Sequence, residues 1–516
     1  MSDGSRPDTP HGSRRVRSAQ PASGLWALVE SAASRTPDAI VLEDDGGRRL
    51  SVLQFARQAE QTAAGLLDWG MGPGDTVSWQ LPTSLEAAVL MAALSRLGVV
   101  QNPIIPAFRA REVGFILDQI APGRSVVAES WHGYGHADLF RSFGVEVLAV
   151  DFDGDAVADL RLPRADPARL SLPSDPGDEC RWIYYSSGTT SVPKGARHTD
   201  RSVVASSNGV VDGLGMRYGD VYPIAWPFAH IGGISMLSAA LRTGATLVLF
   251  SSFEPQLTPE RMAAHQPTVL GSATPFFNAY VAAQRRHGTD PLYPRLRACV
   301  GGGAPTPENV SREVAETLGV RGVTGAWGLT EFPVATSESP EDDAVGTSVG
   351  RPAAGVEVRV VGGELWLRGP QRFLGYVDAT LDEEVLDAEG WLRTGDLGTI
   401  DAAGRVHIEG RSKDVIIRNA ENVSAAEVEG VIARHPAVAD VAVIGIPDEQ
   451  TGERVCAVVV LRTGHGLTIQ ELSRHCQLQG LARFKTPEQL VALSELPRNT
   501  MGKVLKQALR SDLSRR

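Results

Sequence analysis

Between residues 182 and 195 an apolar run, Trp182, Ile183, Tyr184 and Tyr185, empties into Ser186, Ser187, Gly188, Thr189, Thr190 and Ser191 and closes on Pro193, Lys194 and Gly195. The first four residues read as a buried strand and the remainder as a loop. Such a loop suits phosphate: glycine lets successive backbone N–H groups converge on one point, hydroxyls add donors, and Lys194 adds positive charge. A Ser/Gly surface linker is the commoner source of this composition. A linker, however, has no reason to follow a buried strand or to end in Pro-Lys-Gly. The stretch is not a Walker loop, whose G-x-x-x-x-G-K-S/T pattern would need Gly at Pro193 and Ser or Thr at Gly195. It implies a different class of nucleotide user.

The flanking pattern supplies the sheet that such a loop needs. Helical periodicity over 51–69 and 84–97 alternates with strand-like segments at 76–80, 99–100, 125–127 and 145–150. After the loop the alternation resumes with a helix over 202–213, a strand over 221–225, a helix over 234–242 and a strand over 246–250. Alternation of this kind predicts parallel α/β layers. From about residue 346 the character changes to short strands at 356–361, 364–368, 391–394 and 405–409, a small β-rich subdomain. A helix, a strand pair at 438–444 and 455–461, and the segment 496–506 follow. The predicted fold is α/β: a large N-terminal domain of two α/β sheet subdomains plus the β-rich subdomain, with a smaller mobile α/β domain behind it. The limits are 1–20 for a disordered Ser/Pro/Gly/Arg-rich tail, 21–410 for the large domain and 411–516 for the small one.

Composition narrows the function. With 516 residues, 42% hydrophobic and 22% charged, the chain has material for several cores. Its formal net charge of -11 argues against an extended nucleic-acid surface and favours a small-molecule substrate. Cys180, Cys299, Cys456 and Cys476 show no C-x-x-C spacing, so neither a disulfide framework nor a zinc site is expected. The longest apolar run, Ala87 to Leu94, is far short of the roughly 20 residues that span a bilayer and reads as a buried helix. Arg14-Arg15 is followed by no apolar signal region. No membrane span and a cytoplasmic location are expected.

Further segments complete a constellation: Trp226-Pro227-Phe228-Ala229-His230-Ile231-Gly232-Gly233, Gly301-Gly302-Gly303-Ala304-Pro305, Trp327-Gly328-Leu329-Thr330-Glu331, Arg393-Thr394-Gly395-Asp396, Gly410-Arg411, and Met501-Gly502-Lys503. In this order they resemble the motifs of the adenylate-forming superfamily of acyl-CoA synthetases, adenylation domains and luciferases, most closely the acyl-CoA synthetases, over about residues 26–506. The resemblance implies that Ser186, Ser187, Gly188, Thr189, Thr190 and Lys194 hold the outer phosphates of ATP. Gly303, Ala304 and Pro305 would form the adenine turn, with Trp327 and Gly328 beside the base. Thr330 would meet phosphate, Glu331 would hold Mg²⁺ through oxygen, and Asp396 would accept both ribose hydroxyls. Arg411 would contact ribose or phosphate, Lys413 would be the domain hinge, and Lys503 the catalytic lysine. Phe228, His230, Gly325 and Ala326 would line the acyl pocket, with His230 near the carboxylate. Each residue alone has a plainer reading: a solvated carboxylate, a Gly-Asp turn, a packed histidine, a terminal surface lysine. Only the ordered set carries the assignment.

The implied activity is that of an acid–thiol ligase using ATP, Mg²⁺ and CoA on a hydrophobic acid, fatty, alicyclic or aromatic. Two departures bear on it. Relatives commonly read Ile-Arg-Gly-Gly-Glu-Asn where this chain has Ile417-Arg418-Asn419-Ala420-Glu421-Asn422, and Ser191 replaces a usual Gly. The first adds side chains where pantetheine would pass. The alternative expectation is therefore a stand-alone adenylating enzyme that hands its acyl group to an acyl-carrier protein or partner enzyme.

Overall fold

The computed structural model describes residues 24–152, 159–173, 175, 177–186, 193–303, 306–343, 345–418, 421–448, 451–499 and 502–513. The expected tail over 1–20 lies outside them. Two α/β layers form the body. One is a seven-stranded sheet ordered Gly375–Tyr376, Lys194–His198, Trp182–Ser186, Val100–Pro103, Thr76–Gln80, Arg124–Ala128, Glu146–Val150. Its pairs are parallel from Trp182–Ser186 to Glu146–Val150 and antiparallel at the other edge. The other layer holds Arg49–Ser51, Ile40–Asp44, Thr246–Leu249 and Val221–Ile224, continued by a sheet of Val269–Ser272, Ala298–Gly301, Val323–Leu329, Phe332–Ser337 and Arg351–Pro352.

The apolar run predicted as a buried helix is buried on every side. The helix Leu85–Leu97 starts where Ser84 accepts a hydrogen bond from the Ala87 N–H and ends at Gly98 in the left-handed region (φ 73°). One core cluster joins Val77, Trp79 and Val126 of the first layer to Leu42, Ile224 and Leu247 of the second through this helix. Its buried Glu86 is paired with Arg48 at 2.8 Å, so the charge is not stranded. Asp200 ties three further segments together: its carboxylate accepts from Trp182 Nε1 (2.6 Å), the Leu25 N–H (3.0 Å) and Ser95 Oγ (3.0 Å).

The β-rich subdomain is an antiparallel sheet of Glu357–Val361, Glu364–Arg368, Leu392–Ile400 and Val406–Arg411. It shares a core with the body through Trp327, Phe332, Phe373 and Tyr376. The C-terminal domain is different: its two core clusters draw only on residues from Ile416 to Leu513. They flank a sheet of Glu421–Ser424, Val415–Arg418, Gly452–Leu461 and Val438–Asp448, with Gln489–Leu493 parallel to Gly452–Leu461. A large N-terminal and a small C-terminal α/β domain are thus both present.

Local differences from the sequence reading have physical causes. The helix expected over 202–213 is Asp200–Ala205 followed by a widened turn over Gly209–Gly213. A Cβ on Gly209 would lie 2.6 Å from Val334 and one on Gly213 2.4 Å from Ser337, so the segment is set by close packing on the neighbouring strand. The helix expected from 234 begins at Ile231, because His230 caps it. The strand read at 391–394 runs to Ile400, and Lys194 and Gly195, read as the end of the loop, open the strand Lys194–His198. Replacing Asp200 with Ala strands two buried donors, Trp182 Nε1 and the Leu25 N–H, and the part-buried Ser95 hydroxyl. It should destabilise the body by about 3 kcal/mol, seen as a lower denaturation midpoint in tryptophan fluorescence.

Candidate active site

Two hairpins and a cross-strand pair position the expected residues. The first hairpin joins Trp182–Ser186 to Lys194–His198, with Ser186 opposite Lys194. Its loop, including Ser187, Gly188, Thr189, Thr190 and Ser191, lies outside the described residues. The strand Trp182–Ser186 ends at the carboxyl end of the parallel strands, where α/β sheets bind ligands.

The second hairpin joins Val323–Leu329 to Phe332–Ser337, leaving Thr330 and Glu331 as a two-residue tip between paired Leu329 and Phe332. Gly328 is required there, since a Cβ would lie 2.5 Å from the Val334 nitrogen. The Thr330 carbonyl accepts from His198 Nε2 at 2.8 Å, and Glu331 Oε1 accepts from the Tyr376 hydroxyl at 2.7 Å. His198 is fully buried, and that burial lowers its pKa from 6.5 to about 4. It holds the tip as a neutral imidazole. The sequence reading missed it; its only signal was position, four residues beyond Lys194.

Asp396 and Arg411 face each other on adjacent strands. The buried Asp396 carboxylate accepts from Arg411 Nε at 2.7 Å and from Trp327 Nε1 at 2.8 Å. Its own N–H donates to Thr394 Oγ1 (3.0 Å), which donates to the Leu365 carbonyl (2.6 Å). Trp327, expected beside a base, is therefore also tied to the acid expected at the ribose. Lys503 joins this cluster from the C-terminal domain. Burial first, and then the Arg411 charge, pull its pKa from 10.5 down to about 8, while Asp396 and Asp414 oppose the shift. Its backbone is clamped by Asn499, whose Oδ1 accepts from the Lys503 N–H at 2.9 Å. A Cβ on the preceding Gly502 (φ 78°) would lie 3.5 Å from Ala273 and Pro275, so the C-terminal turn rests against the body.

The remaining expected residues are spread around this centre. Gly303 takes the left-handed region (φ 77°), next to Gly302, whose N–H donates to the Ser272 carbonyl at 2.9 Å. Ala304 and Pro305 lie outside the described residues. Lys413 lies in the short turn Ser412–Asp414 between the β-rich and C-terminal sheets. Asn419 and Ala420 lie outside the described residues, between the paired strands Val415–Arg418 and Glu421–Ser424.

A cavity meets His230 and Thr330, with Ile105, Phe108, Tyr185 and Ala229 on its walls. Of the four expected acyl-pocket residues only His230 lines it. Phe228 is fully buried, and Gly325 faces the backbone of the next loop, where a Cβ would lie 2.4 Å from the Ser348 carbonyl oxygen. The 103–116 wall was not read from the sequence, since nothing local marks it. His230 Nδ1 accepts from the Gly232 N–H at 3.2 Å and burial lowers its pKa to about 4, leaving a neutral ring with its proton on Nε2.

Residues 29–377 match the family described as AMP-binding enzyme, and residues 427–503 match the AMP-binding enzyme C-terminal domain. The chain belongs to the AMP-binding enzymes. It is 30% identical to a medium-chain fatty-acid–CoA ligase of Escherichia coli K12, covering 97% of this chain and 93% of that protein. It is 34% identical to a 7a-methyl-1,5-dioxo-octahydro-1H-inden-4-yl propanoyl:CoA ligase of Mycobacterium tuberculosis, covering 94% and 98%. Among solved structures it resembles ATP-bound MatB from Rhodopseudomonas palustris, with a TM-score of 0.85, 29% identity, and 96% and 99% of the two chains covered. This AMP-binding enzyme is accordingly an AMP-forming acid ligase. Among its described residues no helix is long and apolar enough to cross a membrane, and no group of three His, Cys, Asp or Glu could hold a metal ion.

The buried His198 predicts a pH dependence. An unfolded histidine takes up a proton near pH 6.5, whereas His198 resists until about 4, so the unfolded chain binds more protons between those values. Stability should therefore fall as pH drops through that window, by on the order of 3 kcal/mol from this residue. His198→Asn should flatten the fall in melting temperature relative to the parent protein; identical pH slopes would contradict the role.

Proposed function

We propose that this enzyme activates a hydrophobic carboxylic acid with ATP to an acyl-adenylate and pyrophosphate, then transfers the acyl group to CoA. The observation that carries the reading is the buried Asp396 carboxylate, paired with Arg411 and tied through Trp327 to the hairpin of the Thr330–Glu331 turn, with Lys503 of the C-terminal domain near enough to feel the charges of Asp396 and Arg411. Domain limits of 21–410 and 411–516, with Lys413 as hinge, belong to the same proposal.

In the first step an oxygen of the acid attacks the α-phosphorus of ATP, and the bond to the β-phosphate oxygen breaks as pyrophosphate leaves with the electron pair. Two anions must approach each other. Lys503, mostly protonated at pH 7, lowers that repulsion, and Asp396 fixes the nucleotide by accepting from the ribose hydroxyls. Lys194 and the hydroxyl loop would bind the outer phosphates. Glu331 fits a hard cation: it is an oxygen donor whose only described side-chain partner is the neutral Tyr376 hydroxyl. A Mg²⁺ held there would supply positive charge to the phosphates. In the second step the CoA sulfur attacks the acyl carbon and AMP leaves. The family's C-terminal domain turns between the steps, and among the described residues the contacts holding it here are polar or small: the turn at Gly502, the exposed pair Arg434–Glu308 at 3.0 Å, the Arg411–Asp396 pair, and the Ser412 and Ser424 hydroxyls, which donate to the Gly395 and Glu409 carbonyls at 3.1 and 2.7 Å.

The cavity walls of Ile105, Phe108, Tyr185 and Ala229 favour an apolar acid. The two relatives, named for a medium-chain fatty acid and for a bicyclic propanoyl group, favour a fatty or alicyclic one. A pyrophosphate-release screen over fatty, alicyclic and aromatic acids, with and without CoA, tests acid and acceptor together. Acyl-AMP that accumulates unchanged by CoA would point to an acyl-carrier protein instead.

Lys503→Ala should lower acid-dependent pyrophosphate exchange by about 10²–10³-fold while leaving thioester formation from supplied acyl-adenylate much less affected. In the parent enzyme, kcat/KM for adenylation should decline above about pH 8, as Lys503 loses its proton. Wild-type exchange in the variant would remove Lys503 from the mechanism.

A further inference from the structure

We propose that Tyr376 is a positioning residue: its hydroxyl fixes the carboxylate of Glu331 in the orientation that receives the nucleotide's divalent cation. The inference rests on the reading of Glu331 above and adds a residue that none of the expected motifs contains. Glu331 sits on a two-residue turn between the paired strands of its hairpin. The Tyr376 hydroxyl donates to Oε1 at 2.7 Å, and among the described residues no second side chain holds the carboxylate. One oxygen is pinned and the other is left for a ligand.

Tyr376 is itself held more firmly than a core-filling ring requires. Its N–H donates to Asp382 Oδ1 at 2.7 Å, and Gly375–Tyr376 pairs as a short strand with Arg197 and Ala196. Gly375 has φ 129°, and a Cβ there would lie 2.4 Å from Asp382 Oδ2, so the residue before Tyr376 must be glycine for this anchor to form. The Tyr376 ring packs edge-on against Phe373 with centroids 5.0 Å apart, and the residue is only 3% exposed. On its other side Lys194 Nζ lies 5.3 Å from the ring centroid. One buried side chain therefore touches both the lysine of the first hairpin and the carboxylate at the tip of the second, and sets their separation. A purely apolar packing role would be served equally by phenylalanine, but phenylalanine would leave Glu331 unrestrained.

Tyr376→Phe removes this hydroxyl and nothing else. The test is calorimetric binding of ATP, without acid, in Mg²⁺ and in a chelator, to the parent enzyme, Y376F, E331Q and the double variant. Y376F should weaken binding in Mg²⁺ by about tenfold, the loss of one hydrogen bond to a charged group, and change binding in chelator little. The double variant should bind like E331Q. Equal losses in both media, no loss, or losses that add in the double variant would overturn the assignment. A parent enzyme that binds ATP equally in both media would overturn the cation reading of Glu331, and this inference with it. Should Y376F not fold, 3-fluorotyrosine at position 376 keeps the ring and hydroxyl. Its fluorine resonance should move when Mg²⁺ is added to the ATP-loaded enzyme, and an unmoved resonance overturns the proposal.

Discussion

A buried carboxylate with two donors organises this molecule. A carboxylate buried without partners is costly, and Arg411 Nε and Trp327 Nε1 donate to that of Asp396 at 2.7 and 2.8 Å. The three groups come from three different places: the strand Leu392–Ile400, the strand Val406–Arg411 that leads to the C-terminal domain, and the body hairpin Val323–Leu329. Satisfying one charge thus locks the β-rich subdomain to the body and aims the exit of the chain. Lys503, from the C-terminal domain, feels the charges of Asp396 and Arg411.

The two junctions of the molecule differ in kind. The β-rich subdomain shares an apolar core with the body, through Trp327, Phe332, Leu367 and Phe373. The C-terminal domain closes its cores on itself and touches the body through polar and small groups. An exposed ion pair such as Arg434–Glu308 contributes at most about 1 kcal/mol. Parts joined in this way can separate without exposing a core, which suits an enzyme proposed to use one site for two reactions.

Around the site, several residues do quiet structural work that shapes chemistry. His198 holds the Thr330 carbonyl as a neutral donor, and His230 caps the helix Ile231–Thr243 while lining the cavity. Both are kept uncharged by burial. The positive charge at the centre therefore comes from Arg411 and Lys503; burial first, and then the Arg411 charge, lower the lysine pKa to about 8 and make its charge responsive to mildly alkaline pH.

The sequence by itself determined the α/β class, the order of elements and most of the polar centre, because periodicity and turn residues are local and the motifs keep their order. The helix at Leu85–Leu97 and the strand Glu364–Arg368 follow from neighbouring residues alone. Only the tertiary structure decided what depends on contacts between distant segments. It broke the helix near Gly209 against Val334, extended the strand through Asp396, and placed the 103–116 segment opposite His230. It also brought Tyr376 to Glu331, 45 residues away, through a short strand that two residues of sequence could not announce. Those positions are fixed by steric exclusion and by the need to satisfy buried polar groups, and neither condition can be evaluated until the chain has folded.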